Sequence, residues 1–220
     1  MIGLVGGLGV GATIHYYREL AAAHGAGQPM DLVMSHASVA RITEFTSKGD
    51  RNGLAAYLAG FLLQLQKAGA TIGVVPAVTP HFCIEELIAI APIPVVDITR
   101  AVSDHIQERR LSKVTLFGTR FVIESDLYGR LRGVQLVRPQ AREIDFIHDA
   151  YNQLALTGVS NAEHRDRLIA LAETLRSRDG VEAIVLAGTD FATMFDEHAT
   201  PFPHVNCARA HINAIMRAAR

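Results

Sequence analysis

The chain has 220 residues, 49% of them hydrophobic and 20% charged, with a formal net charge of −1. That length buries a substantial core, and the near-neutral, interspersed charge leaves no basic footprint for nucleic acid or an anionic membrane surface. No apolar run approaches the ~20 residues of a membrane span, the opening MIGLVGGLG has no signal-peptide pattern, and Cys83 and Cys207 form neither a disulfide framework nor a zinc motif. The expectation is a cytoplasmic α/β protein.

Strand-like and helix-like stretches alternate along the chain, the pattern of βα units and parallel sheets. Ile2–Val5 reads as a first strand, followed by a glycine turn and a helix from Ala12 to Ala23. Leu32–Met34 is a second strand, Gly53–Lys67 a helix by its Leu/Ala/Phe periodicity, and Thr71–Val75 a buried third strand. Pro94–Val96 is a short fourth, with Asp97 at an N-cap position for a helix over Ile98–Arg109. The pattern then restarts. Lys113–Phe117 is a strand ending in Gly118-Thr119, followed by a helix over Ser125–Leu131 and a strand over Val134–Leu136. Helices over 143–156 and 161–177, the strand Ala183–Leu186 and a last helix over Ala208–Ala219 complete the chain. The halves read as a weak internal duplication. The last helix is expected to return to the first half, giving one domain over 1–98 plus 205–220 and another over 99–204. No proline- or serine-rich linker separates them, so the crossovers must be tight.

Two segments carry similar chemistry. VVPAVTPH (74–81) and IVLAGTD (184–190) are each an apolar, β-branched run stopping at a small-residue turn. The first then presents Thr79 and His81, the second Thr189 and Asp190. In open α/β sheets ligands sit at the carboxyl ends of strands, which makes both turns candidate sites; helix capping is the competing local use of Thr and Asp. A third candidate is Gly6-Gly7-Leu8-Gly9-Val10-Gly11-Ala12. Residues 7–12 fit G-x-G-x-x-A, the dinucleotide fingerprint. That fingerprint also asks for an acid at the end of the second strand. Asp31 stands at its start, and its far end reads Ser35-His36-Ala37-Ser38. A turn whose Gly7 and Gly9 amides hold a carboxylate fits better than NAD binding.

With these residues in view, a resemblance covers nearly the whole chain in order. GGLGVGATIHYYREL resembles the N-terminal G-G-M-G-P-x-A-T-x-x-x-Y motif of the aspartate/glutamate racemases, which use no pyridoxal phosphate. VVPAVTPHF resembles their P-C-N-T-A-H segment and VLAGTDF their L-G-C-T-E segment. FGTRFVIESDLY is similar to G-T-x-x-T-x-x-S-x-x-Y, with Val122 at the second threonine. FPHVNCARAHINAI resembles the closing P-x-x-D-x-x-x-x-H-x-x-A, with Asn206 at the acid and His211 retained.

The resemblance implies two pseudo-symmetric α/β domains, each a parallel sheet flanked by helices, with the active-site cleft between them. It implies no cofactor, a small amino acid or carboxylic acid as ligand, and a homodimer by default. In the family two cysteines exchange the α-proton of the bound amino acid. Here Ala77 and Gly188 stand at those positions, Val78 replaces the asparagine, and Val10-Gly11 and Asp190 replace Pro-Glu and Glu. Neither Ala77 nor Gly188 carries a proton, and their small size is expected to leave volume at both turns.

His81 and Asp190 are then the best ionisable pair for proton transfer. Cys83, just beyond His81, is a further catalytic candidate. Gly7, Gly9, Thr79, Thr119 and Thr189 are the expected gripping groups. Arg51 matches loosely where the family holds a distal carboxylate, with Ser35, Ser38 and Arg41 as other candidates. Cys207 opens the last helix and is read as structural. The leading expectation is a racemase-like protein of the isomerase class. Its alternatives are a carboxylate-binding relic without chemistry and a divergent lyase or isomerase.

Overall fold

A computed structural model of the chain describes residues 1–219 apart from 26–28, 130, 132 and 197. They divide into two compact units, Met1–Ile98 with His211–Arg220, and Thr99–Ala210.

The first unit contains β1 (Ile2–Gly6), α1 (Val10–His24), β2 (Leu32–His36), α2 (Val39–Ser47), α3 (Arg51–Lys67) and β3 (Ile72–Val74). A 3-10 turn (Thr79–Cys83), α4 (Ile84–Ile90) and β4 (Val95–Val96) follow. The strands form one parallel sheet in the order β2-β1-β3-β4, with Ile2 opposite both Leu32 and Ile72. Leu4, Val5 and Val74 are fully buried, as expected of a parallel sheet covered on both faces. Asp50 caps α3 by accepting from the Gly53 amide at 2.8 Å. The helix then lays Leu54, Leu58, Leu62 and Leu65 along one face, in a core with Val5, Val75, Leu87 and Ile93.

The second unit holds α5 (Ile98–Glu108), β5 (Lys113–Phe117), α6 (Arg120–Glu124), β6 (Gln135–Val137), α7 (Ala141–Thr157) and α8 (Ala162–Asp179). After these come β7 (Ala183–Leu186), α9 (Phe191–Met194), β8 (His204–Asn206) and the start of α10 (Cys207–Ala218), whose later turns belong to the first unit. Its parallel sheet runs β6-β5-β7-β8, the same order in sequence terms as the first. Gln140 and Glu143 form a capping box at the start of α7. That helix buries Ile144, Ile147, Ala150 and Leu154.

Several elements differ from expectation, among them α2, which had no expected counterpart. The helix expected over Ser125–Leu131 lies instead at Arg120–Glu124. The Thr119 hydroxyl caps it by accepting from the Val122 amide at 3.2 Å, and Ser125 ends it in extended backbone (φ −78°, ψ 171°). Residue 130 of the expected helix lies outside the described residues. The strand β8 had no counterpart in the expected elements, because three residues that include His204 and Asn206 give no apolar run. In each sheet the order reverses beside the first strand of the unit, between β1 and β3 and between β5 and β7. Such a reversal opens a crevice at the carboxyl ends of the two strands.

Candidate active site

At the first crevice, β1 ends in the Gly7–Gly9 turn. Gly7 has φ +82°, and a Cβ there would lie 2.7 Å from His36 Nε2, so only glycine fits. Its amide donates to Thr13 Oγ1 at 3.2 Å, and that hydroxyl donates to the Gly9 carbonyl at 2.8 Å. Gly9 is the N-cap of α1 with φ +141°. The first of the expected gripping amides is thus used inside the turn itself.

Beside it, the chain leaves β3 and folds back, with the Ala77 amide bonded to the Val75 carbonyl at 2.9 Å. Thr79, half-buried, opens the 3-10 turn. His81 is buried, its Nδ1 2.8 Å from the Ala77 carbonyl and its Nε2 3.3 Å from the Ile98 amide. Those partners assign a neutral ring that donates from Nδ1 and accepts at Nε2. His211 is also buried: Nε2 donates to the Val96 carbonyl at 2.9 Å and Nδ1 accepts from the Tyr16 hydroxyl at 3.0 Å. The two imidazoles meet edge to face at 6.0 Å. Burial lowers the pKa of both, that of His211 to about 3, so both stay neutral. Both nitrogens of His81 are spent on backbone and tie the turn after β3 to Ile98, while His211 ties α10 to β4.

The other first-unit candidates divide. The Arg51 guanidinium lies 3.8 Å over the Phe82 ring and donates to the Phe82 carbonyl, which brings it to the same turn. Cys83 faces the core, donating to the Pro80 carbonyl at 3.3 Å, with its thiol pushed up to about 12 by burial and by Glu86. A thiol so protonated is inert. Arg41 is paired with Glu44 at 2.5 Å and stacks on Phe45, while the Ser38 amide donates to the Tyr57 hydroxyl. The Ser35 hydroxyl is buried and without a hydrogen-bond partner among the described residues.

The second crevice repeats the backbone of the first. The Ala187 amide bonds the Val185 carbonyl at 2.9 Å, as Ala77 bonds Val75, and the Phe191 amide bonds Gly188 as His81 bonds Val78. This register sets Thr189 in the place of Thr79, and Gly188 in that of Val78. Thr189 and Asp190 are both buried. The Tyr151 hydroxyl, from α7, donates to Asp190 Oδ2 at 3.1 Å, and the Thr189 hydroxyl donates to the phenol oxygen. Burial and the Asp190 charge hold the phenol well above its ordinary range, so it remains a donor. Its ring meets Phe191 edge to face at 5.1 Å.

The expected empty volume at Gly188 is absent. A Cβ there would lie 2.7 Å from Tyr151 Cδ2 and 2.8 Å from Cζ, because the phenol ring fills that space. Cys207 is fully buried and its thiol is driven up chiefly by desolvation, despite its place at a helix N-terminus. Thr119 is half-buried and caps α6, the local use weighed against binding.

Tyr151 was missed by sequence reasoning. Ile144, Ile147, Tyr151 and Leu154 recur at helical spacing, so Tyr151 reads as one more apolar position of a buried stripe. The available signal was its hydroxyl, which needs a partner when it points inward. His148, one turn earlier, was missed too; its Nδ1 accepts the Arg120 amide at 3.1 Å.

Two four-stranded parallel sheets flanked by helices, each with a small-residue turn at its crevice, define an α/β protein. The chain belongs to the Asp/Glu/Hydantoin racemase family, whose model matches residues 5–215. Among solved structures it is similar to an aspartate racemase homologue from Pyrococcus horikoshii OT3, with a TM-score of 0.82 and 23% identity over 100% of this chain and 99% of that one. It is also similar to the aspartate racemase of Picrophilus torridus, with a TM-score of 0.79 and 18% identity over 99% of this chain and 93% of that one. The maleate isomerase Iso from Pseudomonas putida S16 matches with a TM-score of 0.62 and 17% identity, covering 99% and 92%. At these identities the likeness establishes the fold. Among the described residues, no helix is long and apolar enough to cross a membrane.

Proposed function

We propose that this protein binds a small amino acid or related carboxylate at the strand ends and moves a proton next to the ligand's carboxylate without a thiol. Asp190 is the proton carrier in this reading. The observation that carries it is the buried Asp190 carboxylate held by the Tyr151 phenol at the end of β7, beside Thr189. A proton-transfer group needs a fixed geometry and a protonation state set by its surroundings, and a carboxylate with one oxygen tied to a phenol has the first. His81 takes a structural role here, because backbone groups occupy both its nitrogens. Arg51, which reaches the first turn at Phe82, and Thr79, which opens that turn, are suited to hold a carboxylate.

Incubation with L- and D-aspartate and L- and D-glutamate in D₂O, followed by NMR, tests the reading. Loss of the α-proton signal above the protein-free background is the expected result, and no loss with any of the four removes the enzymatic reading.

A second reading, a carboxylate-binding relic, is favoured by one observation. At the first turn Ala77 and Val78 have no ionisable group, and the ring of His81 is fully engaged. It predicts no α-proton exchange but a thermal shift with small carboxylic acids, since a ligand of the folded state stabilises it by mass action.

A further inference from the structure

Gly188 is a glycine for a reason other than backbone freedom. Its φ lies outside the left-handed region, so any L-residue is allowed there on conformational grounds. What excludes a side chain is the Tyr151 ring, whose Cδ2 and Cζ stand 2.7 and 2.8 Å from where a Cβ would be. The ring is held by Phe191, which it meets edge to face at 5.1 Å, and by its hydroxyl on Asp190. Thr189 and Asp190 lie within the interior, while Tyr151 is only half-buried. Of the three bonded side chains, Tyr151 is thus the one that keeps exposed surface.

The hydrogen bonds run in one direction, from the Thr189 hydroxyl to the phenol and from the phenol to Asp190 Oδ2. A protonated phenol fixes the carboxylate's orientation and favours its charged form. Phenylalanine would fill the same space but give no such hold.

We propose that Tyr151 is a positioning residue of the active site: its ring occupies the space left at Gly188 and forms a wall against which the ligand rests, and its hydroxyl orients Asp190 for proton transfer. This rests on the function proposed above.

Two measurements on the full chain test it. The first uses protein labelled with ¹³C in the tyrosine rings, with the Tyr151 signal assigned by its loss in Tyr151→Phe. Titration with L- or D-aspartate is expected to shift the Tyr151 signal. Shifts confined to the other tyrosines overturn the assignment while leaving the proposed function standing; no shift anywhere, with no thermal shift, overturns both. The second compares α-proton exchange in wild type and Tyr151→Phe. Loss of one hydrogen bond to a charged group is expected to lower kcat roughly 10- to 100-fold with KM little changed, and to move the acidic limb of the pH profile upward. A variant with unchanged kcat, or with kcat reduced only in proportion to its folded fraction and an unmoved pH profile, overturns the positioning role.

Discussion

Gly188→Ala is the substitution on which the packing argument stands most exposed. Its Cβ would enter the space held by the Tyr151 ring, 2.7 Å from Cδ2 and 2.8 Å from Cζ. Contacts that short require the ring or the backbone to move. The ring cannot swing without leaving Phe191 and Asp190, and the backbone is tied by the Phe191 amide to the Gly188 carbonyl at 3.0 Å. Overpacking of this kind costs about 1–3 kcal/mol, and release of the phenol from a charged carboxylate adds about 1.5–3 kcal/mol if the ring is expelled. The expected destabilisation, read from the urea midpoint of unfolding, is therefore about 1–3 kcal/mol with the ring held in place and about 2.5–6 kcal/mol with it expelled. A double-mutant cycle with Tyr151→Ala isolates the cause. With the ring removed, Gly188→Ala should cost less than about 1 kcal/mol, the rest of its cost appearing as the coupling. Equal costs in both backgrounds, additive within about 0.5 kcal/mol, would show that Tyr151 is not what makes position 188 a glycine.

Further outcomes follow from the buried histidines and cysteines and from Arg51. His211 is buried and neutral with a pKa of about 3, and His81 is lowered as well, so the unfolded chain binds protons that the folded one refuses. Stability should be full above an unfolded pKa of about 6.5 and fall as the pH drops from there toward 3, by on the order of 5 kcal/mol at most for His211. Urea unfolding across that range checks it, and a flat profile would refute the neutral assignment. Cys83 and Cys207, both fully buried with raised thiol pKa values, should label with iodoacetamide only as the protein unfolds; rapid labelling of native protein would contradict their packing. Arg51→Ala should lower stability by about 1–2 kcal/mol through loss of the guanidinium on Phe82. Arg51→Lys should not restore it, because an ammonium lacks the planar stacking face; full rescue by lysine would reduce the contact to charge alone.

The sheets were legible because their strands are continuous apolar runs stopping at small residues, and Ile2–Val5, Lys113–Phe117 and Ala183–Leu186 stand out for that reason. The turns after β3 and β7 were legible too, as was the family. What the sequence concealed depended on side-chain direction. Helical periodicity places Tyr151 in a buried stripe but says nothing of a hydroxyl aimed at Asp190 across 39 residues of chain. It shows His81 at the right turn without revealing that Ala77 and Ile98 take both ring nitrogens. Small residues at 77 and 188 suggest open space, yet one such space is filled from another helix. Composition cannot report which neighbour fills a gap.

The proposed chemistry turns on proton transfer by Asp190 without a thiol. It is tested most directly by α-proton exchange from aspartate and glutamate in D₂O, using a variant with both cysteines replaced, Cys83→Ala/Cys207→Ala, with and without Asp190→Asn. Exchange at the wild-type rate is expected in the cysteine-free protein, and none above background once Asp190→Asn is added. Exchange that disappears with the cysteines, or survives the loss of Asp190, would contradict it.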